Sequence, residues 1–283
     1  MNTCFFLGKG GVGKTTLALA WGLARAREGR RTLVLSLDPA HNLADYTGHA
    51  LADEPREVQP GLWLQEVDIG RRSQAVLDRV LRLMRSSYRH LEVLNLEHTL
   101  ETLRYSPGAE ESAYLEVLQE VRQGPWDAVA VDLPPTGMAL KLVHQPFASL
   151  LWVQRLLALR QQVRRLEATV ARLHGRPAPQ DPVFRELLRL FEEYEGLIRW
   201  FRSEAVAWYL VETPEPAARE EARRIREALH RLKIHRLQRV CNRCEGAEPG
   251  SVPEMPGPLR FPQDFGALGR RLPPAPGESP ETP

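Results

Sequence analysis

A glycine-rich loop near the N-terminus constrains the fold more than any other feature of this chain. Residues 8–16 read GKGGVGKTT, an apolar run (CFFL) precedes them, and an apolar-faced helical segment (LALAWGLARARE) follows. A second apolar run, RTLVLSLD, comes directly after that segment, so a parallel strand–helix–strand unit is predicted. The predicted fold class is α/β, with a mostly parallel, doubly wound sheet.

The spacing of glycine, lysine and threonine in this loop is that of a P-loop between a strand and a helix. Backbone N–H groups of such a loop converge on phosphates, Lys14 is expected to reach the β and γ phosphates, and Thr15 is expected to bind Mg²⁺. The sequence therefore predicts a P-loop NTPase with ATP and Mg²⁺ as cofactors. The predicted nucleotide-binding residues of the loop are Gly8, Lys9, Gly10, Gly11, Val12, Gly13, Lys14, Thr15 and Thr16.

The remaining periodicity predicts one P-loop domain over 1–271 that carries helical insertions. The insertions, 71–124 and 137–204, are expected to form a helical subdomain, and the proline-rich tail at 272–283 is expected to be disordered. The further predicted strands cover 62–68, 127–132, 207–212 and 237–242, with a short one in PLRFP, and the predicted helices cover 73–104, 106–124, 156–173, 184–201 and 214–232.

Two of the predicted helices carry apolar residues at seven-residue spacing, which is typical of helices that pair along an a/d seam. We expect these helices to zip together as an antiparallel hairpin; two amphipathic core helices are an equally open alternative. The first helix has Leu156, Leu159, Val163, Leu166, Val170 and Leu173 at these positions, and the second has Phe184, Leu187, Phe191, Tyr194, Ile198 and Phe201.

Composition excludes some functions. The chain has 38 Lys+Arg against 36 Asp+Glu, and a formal charge of +2 is too small for a protein that coats nucleic acid. No apolar run reaches the roughly 18 residues of a spanning helix, so we expect no integral membrane segment and a cytoplasmic protein. The three cysteines, Cys4, Cys241 and Cys244, are expected to be thiols rather than disulfides.

Lys9, directly after the first glycine, makes the loop a deviant Walker A motif, KGGVGKTT. The segments DPAHNLAD (38–45) and VDLPPTGMALKLV (131–143), followed by TPE (213–215) and VCN (240–242), complete the pattern in order. In these motifs the chain closely resembles the ArsA family of anion-transporting (arsenite-pump) ATPases and the tail-anchored-protein-targeting, or guided-entry, ATPases. The resemblance spans nearly the whole chain and implies a homodimeric Mg-ATP hydrolase with a client protein or membrane partner.

Two aspartates end predicted strands at the edge where open α/β sheets bind ligands. Asp38 is the predicted catalytic residue, because its carboxylate is placed to orient the attacking water. Asp132 is predicted to hold Mg²⁺ together with Thr15, directly or through water. Lys14 is also a predicted catalytic residue. The resemblance adds Lys9 as a third.

Other roles come from the resemblance alone. It implies that Lys9 crosses the dimer interface to the partner's nucleotide, that Asn242 reads adenine, and that Glu215 contacts the nucleotide. Pro262 and Phe265 are further candidates for closing the other side of the base. A rival hypothesis is a switch ATPase of the ParA or MinD type that acts on a membrane or DNA surface; the proline-rich tail supplies no amphipathic helix for it.

The sequence also departs from the family pattern. Arsenite pumps collect the metalloid on cysteines of the helical region, where this chain has none, and Met138 stands where the family has histidine. Arsenite stimulation is therefore not expected. The CxxC pair, Cys241 and Cys244, has the spacing of half a zinc site that two chains complete; the alternative is a pair of buried structural thiols.

Overall fold

The computed structural model describes residues 1–39, 42–87, 109–175, 177, 180–244, 251–252 and 259–273. Within these ranges the chain divides into two compact units. One unit contains Met1–Asp68, Val121–Val143 and the C-terminal part from Trp200; the other contains Ile69–Glu120 and His144–Arg199. We call them the α/β unit and the helical unit.

The α/β unit is built on an eight-stranded sheet in the order β3-β4-β2-β5-β1-β6-β7-β8. Neighbouring strands are parallel except β3, which is antiparallel to β4. The predicted α/β class with a mostly parallel sheet is confirmed. The strands are β1 (Asn2–Leu7), β2 (Thr32–Ser36), β3 (Arg56–Gln59), β4 (Leu62–Glu66), β5 (Ala128–Asp132), β6 (Val206–Glu212), β7 (Leu237–Asn242) and β8 (Ser251–Val252).

The central strands are apolar along their whole length because helices cover both faces of a parallel sheet. β5 and β6 are buried at every residue, and β1 at every residue after its first. The ring of Phe5 in β1 stacks on Trp208 of β6 with centroids 4.3 Å apart, and Phe201 meets both rings edge to face. This aromatic packing fixes β1, and with it the loop that follows.

Both units contain helices. Those that lie wholly in the α/β unit are α1 (Lys14–Arg27), α2 (Asn42–Thr47), α7 (Pro216–Arg231) and α8 (Gln263–Gly269). Those that belong wholly or mostly to the helical unit are α3 (Ile69–Ser87), α4 (Ala109–Gln123), α5 (Thr136–Leu173) and α6 (Pro182–Phe201). No helix among the described residues is long and apolar enough to cross a bilayer.

Three short elements differ from the sequence prediction. β3 was not expected, because REVQ is an edge strand with charged, exposed residues rather than an apolar run. β8 has two residues, too few for a periodic signal. The predicted strand in PLRFP is wrong where the structure describes it, since residues 259–262 instead lead into α8.

The ends of two predictions lie outside the described residues: 88–104 of the first long helix, and 274–283 of the tail. The predicted tail begins too early, because Leu272 is buried and the carbonyl of Pro273 accepts a 2.8 Å hydrogen bond from the Tyr209 hydroxyl. Leu272 and Pro273 therefore belong to the packed part of the described chain.

The hairpin of α5 and α6 is held near its turn by Asp181. Its Oδ1 caps α6 by accepting a 2.9 Å hydrogen bond from the Phe184 N–H, and Pro182 fills the first helical position. Its Oδ2 accepts from Arg160 Nε of α5 at 2.8 Å. Burial alone would raise the pKa of Asp181, but the Phe184 N–H and Arg160 hold it below its ordinary value.

The predicted a/d seam on α5 does not pack against α6. Leu159, Leu166 and Leu173 are 58, 70 and 81% exposed. The face toward α6 instead carries Arg160, which binds Asp181, and Arg164, whose guanidinium lies 4.1 Å from the centre of the Phe184 ring. The face that carries Arg160 and Arg164 lies about 100° around the helix from the predicted seam. Because this face is the one attached to the α6 cap, the seam faces solvent.

The exposed set is longer than the sequence prediction, because Trp152, at 68% exposure, continues it by one heptad. On α6 the predicted apolar residues are buried or half-buried. We call this set, which is exposed except for the half-buried Val163, the α5 seam; it consists of Trp152, Leu156, Leu159, Val163, Leu166, Val170 and Leu173.

Candidate functional site

At two positions, the backbone of the loop between β1 and α1 leaves no room for a side chain. A Cβ on Gly8 would lie 2.2 Å from the carbonyl oxygen of Val211. Gly13 has a φ of 94°, in the left-handed region, and a Cβ there would lie 2.4 Å from Nδ2 of Asn242. Glycine at these positions lets the loop close tightly before α1 begins at Lys14.

Polar side chains at the start of α1 are buried beneath this loop. Lys14 is 5% exposed and Thr15 is 8% exposed. The Thr15 hydroxyl donates a 2.6 Å hydrogen bond to Oδ2 of Asp132, a fully buried carboxylate at the end of β5. Two predicted metal-binding residues that are far apart in sequence therefore touch.

Asp132 has an unusual proton affinity. Its pKa is raised to about 7: burial is the largest cause and the negative charge of Asp38 adds to it, while the Thr15 hydroxyl and the Lys14 charge lower it. Its second oxygen, Oδ1, is buried without a hydrogen-bond partner within the described part of the chain. An orphaned carboxylate oxygen next to a threonine hydroxyl is a donor set that fits Mg²⁺, which prefers oxygen ligands.

Asp38 lies two residues beyond the end of β2. β2 and β5 pair in register from Thr32 with Ala128 to Ser36 with Asp132, and the Leu37 N–H continues to the Asp132 carbonyl at 2.9 Å. The side chain of Asp38 is half-buried, and its N–H donates to the Ser36 hydroxyl at 3.3 Å. The sheet register thus brings Asp38 to the same edge as Asp132.

The sequence analysis missed a residue that holds the segment after Asp38. Glu66 ends β4 with 6% exposure, and its Oε1 accepts hydrogen bonds from the N–H groups of Leu43 and Ala44, at 2.7 and 3.1 Å. It therefore fixes the first turn of α2. A charged residue at the end of an apolar strand was the available signal, but nothing in the sequence named its partners 22 and 23 residues earlier.

Asn242 ends β7 beside the P-loop. Its Nδ2 donates to the carbonyl of Val12 at 2.9 Å, and its Oδ1 accepts from the Arg243 N–H at 3.0 Å. The amide thus fastens the loop from the β7 side, which the sequence did not predict. Its role toward adenine stays a prediction.

Phe265 does not line an open base site. It is fully buried, and its ring packs against Tyr46 and Phe261, with centroids 5.9 and 5.8 Å away. The prediction that it closes the base is wrong, because an amphipathic α8 turns this ring into the core. Pro262 precedes α8, and its carbonyl accepts a hydrogen bond from Arg27.

Lys9 and Glu215 lie close together, although the resemblance gave them separate roles. Lys9 Nζ is 3.8 Å from Glu215 Oε2, and their side chains are 40 and 68% exposed. An ion pair this long and this exposed contributes little to stability. Glu215 also stands at the N-cap of α7, without a side-chain capping bond.

The cysteine prediction needs correction. A disulfide joins Cys241 and Cys244, which were expected to be thiols. Arg243 between them has a φ of 56°, and this turn brings the two Cα atoms to 5.7 Å, within disulfide range. Bonded sulfurs are not thiolate ligands, and the described residues contain no group of three or more His, Cys, Asp and Glu side chains that could hold a metal. Cys4 is a buried thiol in β1.

A parallel sheet with a glycine loop and a buried Lys-Thr-Asp cluster at one strand edge defines a P-loop NTPase. A family model for anion-transporting ATPases matches residues 1–249 of the chain. The chain therefore belongs to the anion-transporting ATPase family, and it is an ATPase.

Individual relatives agree with this assignment. A protein of Aquifex aeolicus named "Putative arsenical pump-driving ATPase 2" is 27% identical over 86% of this chain and 80% of its own length. An uncharacterized protein of Streptomyces coelicolor, SCO2128, is 31% identical, and ATPase ASNA1 homolog 1 of Paramecium tetraurelia is 26% identical. They match 79 and 68% of this chain, which spans 57% of the length of each. The predicted resemblance to arsenical-pump and ASNA1-type ATPases is confirmed.

Proposed function

We propose that this chain is a cytoplasmic, homodimeric Mg-ATP hydrolase that couples hydrolysis to the handling of a client by its helical unit. The main observation that supports an ATP site is the buried contact between Thr15 and Asp132 beside Lys14. Such a cluster is costly to bury unless a charged ligand completes it. Membership of the anion-transporting ATPase family supports the nucleotide.

Each site residue has a distinct task in this proposal. Lys14 binds the β and γ phosphates, and Thr15 and Asp132 hold Mg²⁺. When bound, the ion neutralises charge that develops on the phosphates. Asp38 orients the attacking water, because its half-buried carboxylate stands at the same strand edge as Asp132. Glu66 is a positioning residue that holds the segment after Asp38.

Lys9 acts in trans on the partner's ATP. Its contact with Glu215 supports this role, because a 3.8 Å pair between two exposed side chains is easily exchanged for a phosphate. Its own chain already supplies Lys14 to the phosphates. A second cation from the partner would stabilise the transition-state charge and link hydrolysis to closure of the dimer, as an arginine finger does.

The α5 seam is the proposed client surface. Monomeric proteins rarely expose a continuous apolar stripe, and large exposed patches mark interaction sites. Seven apolar residues at a/d spacing run along about 30 Å of helix, close to the length of a membrane-spanning helix. Seams from two chains would form a groove for such a client helix.

A mixed-dimer experiment tests the dimer and the trans lysine together. Lys9→Ala and Asp38→Asn homodimers should each be nearly inactive, while Asp38→Asn keeps its ATP affinity. In the mixed dimer the Lys9→Ala chain keeps Asp38 and receives Lys9 from its partner, so one of two sites works. Random mixing should then restore about a quarter of wild-type turnover.

Each outcome is informative once subunit exchange is demonstrated by mass-tagged chains. A lysine that acts in cis leaves both mixed sites dead, so no recovery refutes the trans role. A monomer at all nucleotide states, measured by light scattering, refutes the dimer. Wild-type turnover in the Asp38→Asn homodimer moves the catalytic role to another residue.

A further inference from the structure

Described residues of the helical unit line a cavity of about 460 Å³. Apolar residues of four helices line it, among them Val80 of α3, Leu115 of α4, Leu156 of α5 and Leu187 of α6. Protein interiors have few voids larger than a water molecule, and an apolar cavity of about 150 Å³ already binds a benzene-sized molecule. The cavity is therefore far larger than a packing defect.

The volume decides what kind of molecule enters. Pockets for small ligands measure about 300–1,000 Å³, and this cavity lies within that range. A spanning helix about 30 Å long and 10 Å wide occupies more than roughly 2,000 Å³. The cavity reaches the α5 seam at Leu156, but it is too small to enclose the client helix proposed for that seam, and its occupant is a small apolar molecule.

Charged side chains stand where the cavity meets water. Glu116, Glu186 and Glu193 belong to its lining, and their side chains are 29, 28 and 26% exposed. Arg79 pairs with Glu116, and Arg189 pairs with both Glu186 and Glu193. Among the described residues at the rim, these three carboxylates against two guanidinium groups leave one net negative charge.

We propose that this cavity binds a single-chain amphiphile with an aliphatic tail and a cationic head group. The tail fills the apolar space between α3, α4, α5 and α6, and the head group lies among the rim carboxylates. Tail burial supplies the affinity, because each methylene leaves water for an apolar lining. The net negative charge of the rim supplies the preference for a cation over an anion. The proposal is independent of the ATPase cycle.

Calorimetric titration of the full chain with three probes tests the head group. Dodecylamine, 1-dodecanol and dodecanoate share one tail and differ in charge, and each is used below its aggregation threshold at neutral pH. We expect one dodecylamine per chain, with dodecanoate at least about tenfold weaker and the alcohol between them. Equal affinity for dodecanoate overturns the cationic head group. No heat from any probe overturns the site.

A pair of matched substitutions tests the location. Leu187→Trp fills the cavity and should weaken dodecylamine binding at least about tenfold, whereas Leu166→Trp on the exposed α5 seam should not change it. If Leu187→Trp fails to fold by circular dichroism, Val80→Trp serves instead, because Val80 lines the same cavity but is 41% exposed. Loss of binding in Leu166→Trp alone would assign the amphiphile to the seam and refute the proposal.

Discussion

The P-loop edge of the α/β unit and the α5 seam of the helical unit differ in what they bury. The first buries polar side chains, and the second exposes apolar ones. At the P-loop edge, Lys14 and Asp132 are buried although their side chains are ionisable. On the seam, Leu166 and Leu173 are exposed although they are apolar. Both arrangements cost free energy in an isolated chain, since buried charge loses hydration and exposed leucine orders water.

The difference between the two regions indicates what each is built to meet. A buried cation beside a carboxylate with an orphaned oxygen suits a small, highly charged ligand that arrives with its metal. An exposed apolar stripe suits a large, uncharged surface. Substitutions at the P-loop edge should therefore weaken ligand binding. Substitutions on the α5 seam should have little effect on folding.

The largest effect is expected at the P-loop. Lys14→Ala should weaken ATP binding by at least about a hundredfold and reduce turnover to background, because the phosphates lose charge-assisted hydrogen bonds in a desolvated site. Calorimetric titration with ATP and Mg²⁺ measures the loss. Lys141→Ala, which removes an exposed lysine from α5, is the matched control and should bind ATP normally. Unchanged affinity in Lys14→Ala would contradict the site.

A second prediction compares two leucines on one helix. Leu157→Ala should lower the free energy of unfolding by about 2–4 kcal/mol, because Leu157 is buried and its loss leaves a cavity. Leu166→Ala, nine residues later, should change it by less than about 0.5 kcal/mol, because Leu166 already faces solvent. Urea denaturation of both variants measures the pair. Similar large losses at both positions would mean that the seam is covered in the folded protein.

A smaller effect is expected at the hairpin turn. Asp181→Ala should destabilise the protein by about 1–3 kcal/mol, because it removes the α6 cap and the 2.8 Å hydrogen bond from Arg160. The pKa of Asp181 is lowered in the folded state, so its contribution is present above the unfolded-state pKa and is lost as pH falls through the folded value. Thermal unfolding should therefore separate variant and wild type at pH 7, and progressively less below about pH 4.

The smallest effect concerns metalloid ions. Arsenite should change ATP turnover by less than about twofold, because soft metalloids need converging thiolates. All three cysteines belong to the α/β unit: Cys4 is buried in β1, and Cys241 and Cys244 are bonded to each other. The sequence of the helical unit thus contains no cysteine thiol. Several-fold stimulation that disappears in a Cys4→Ser variant would show that this contrast between the units is wrong.

Sequence reasoning succeeded where the signal is local. The strand, glycine loop and helix around Lys14 are continuous in sequence, and a right-handed parallel crossover then places the ends of β2 and β5 at one edge. That geometry was enough to predict that Asp38 and Asp132 lie near the P-loop. The contact of Thr15 with Asp132 follows from the same crossover.

It failed where a distant residue decides the outcome. Heptad spacing showed that α5 has an apolar face, but the direction of that face depends on Asp181 binding Arg160 from the adjacent helix. Glu66 and Asn242 were hidden in a similar way, because each acts on backbone groups far away in sequence. The edge strand β3 carries no apolar alternation, so its pairing with β4 is visible only in three dimensions.

The bond between Asn242 and Val12 also bears on how the protein is made. It joins residues separated by 230 positions, so the P-loop leaves the ribosome long before the strand that fastens it. At about 5–20 residues per second, that interval lasts tens of seconds. During it, the nascent loop lacks the Asn242 amide that closes it, and Gly13 has no β7 beside it. Competence to capture nucleotide should therefore arise as one of the last events of synthesis, which protects an unfinished chain from closing around ATP.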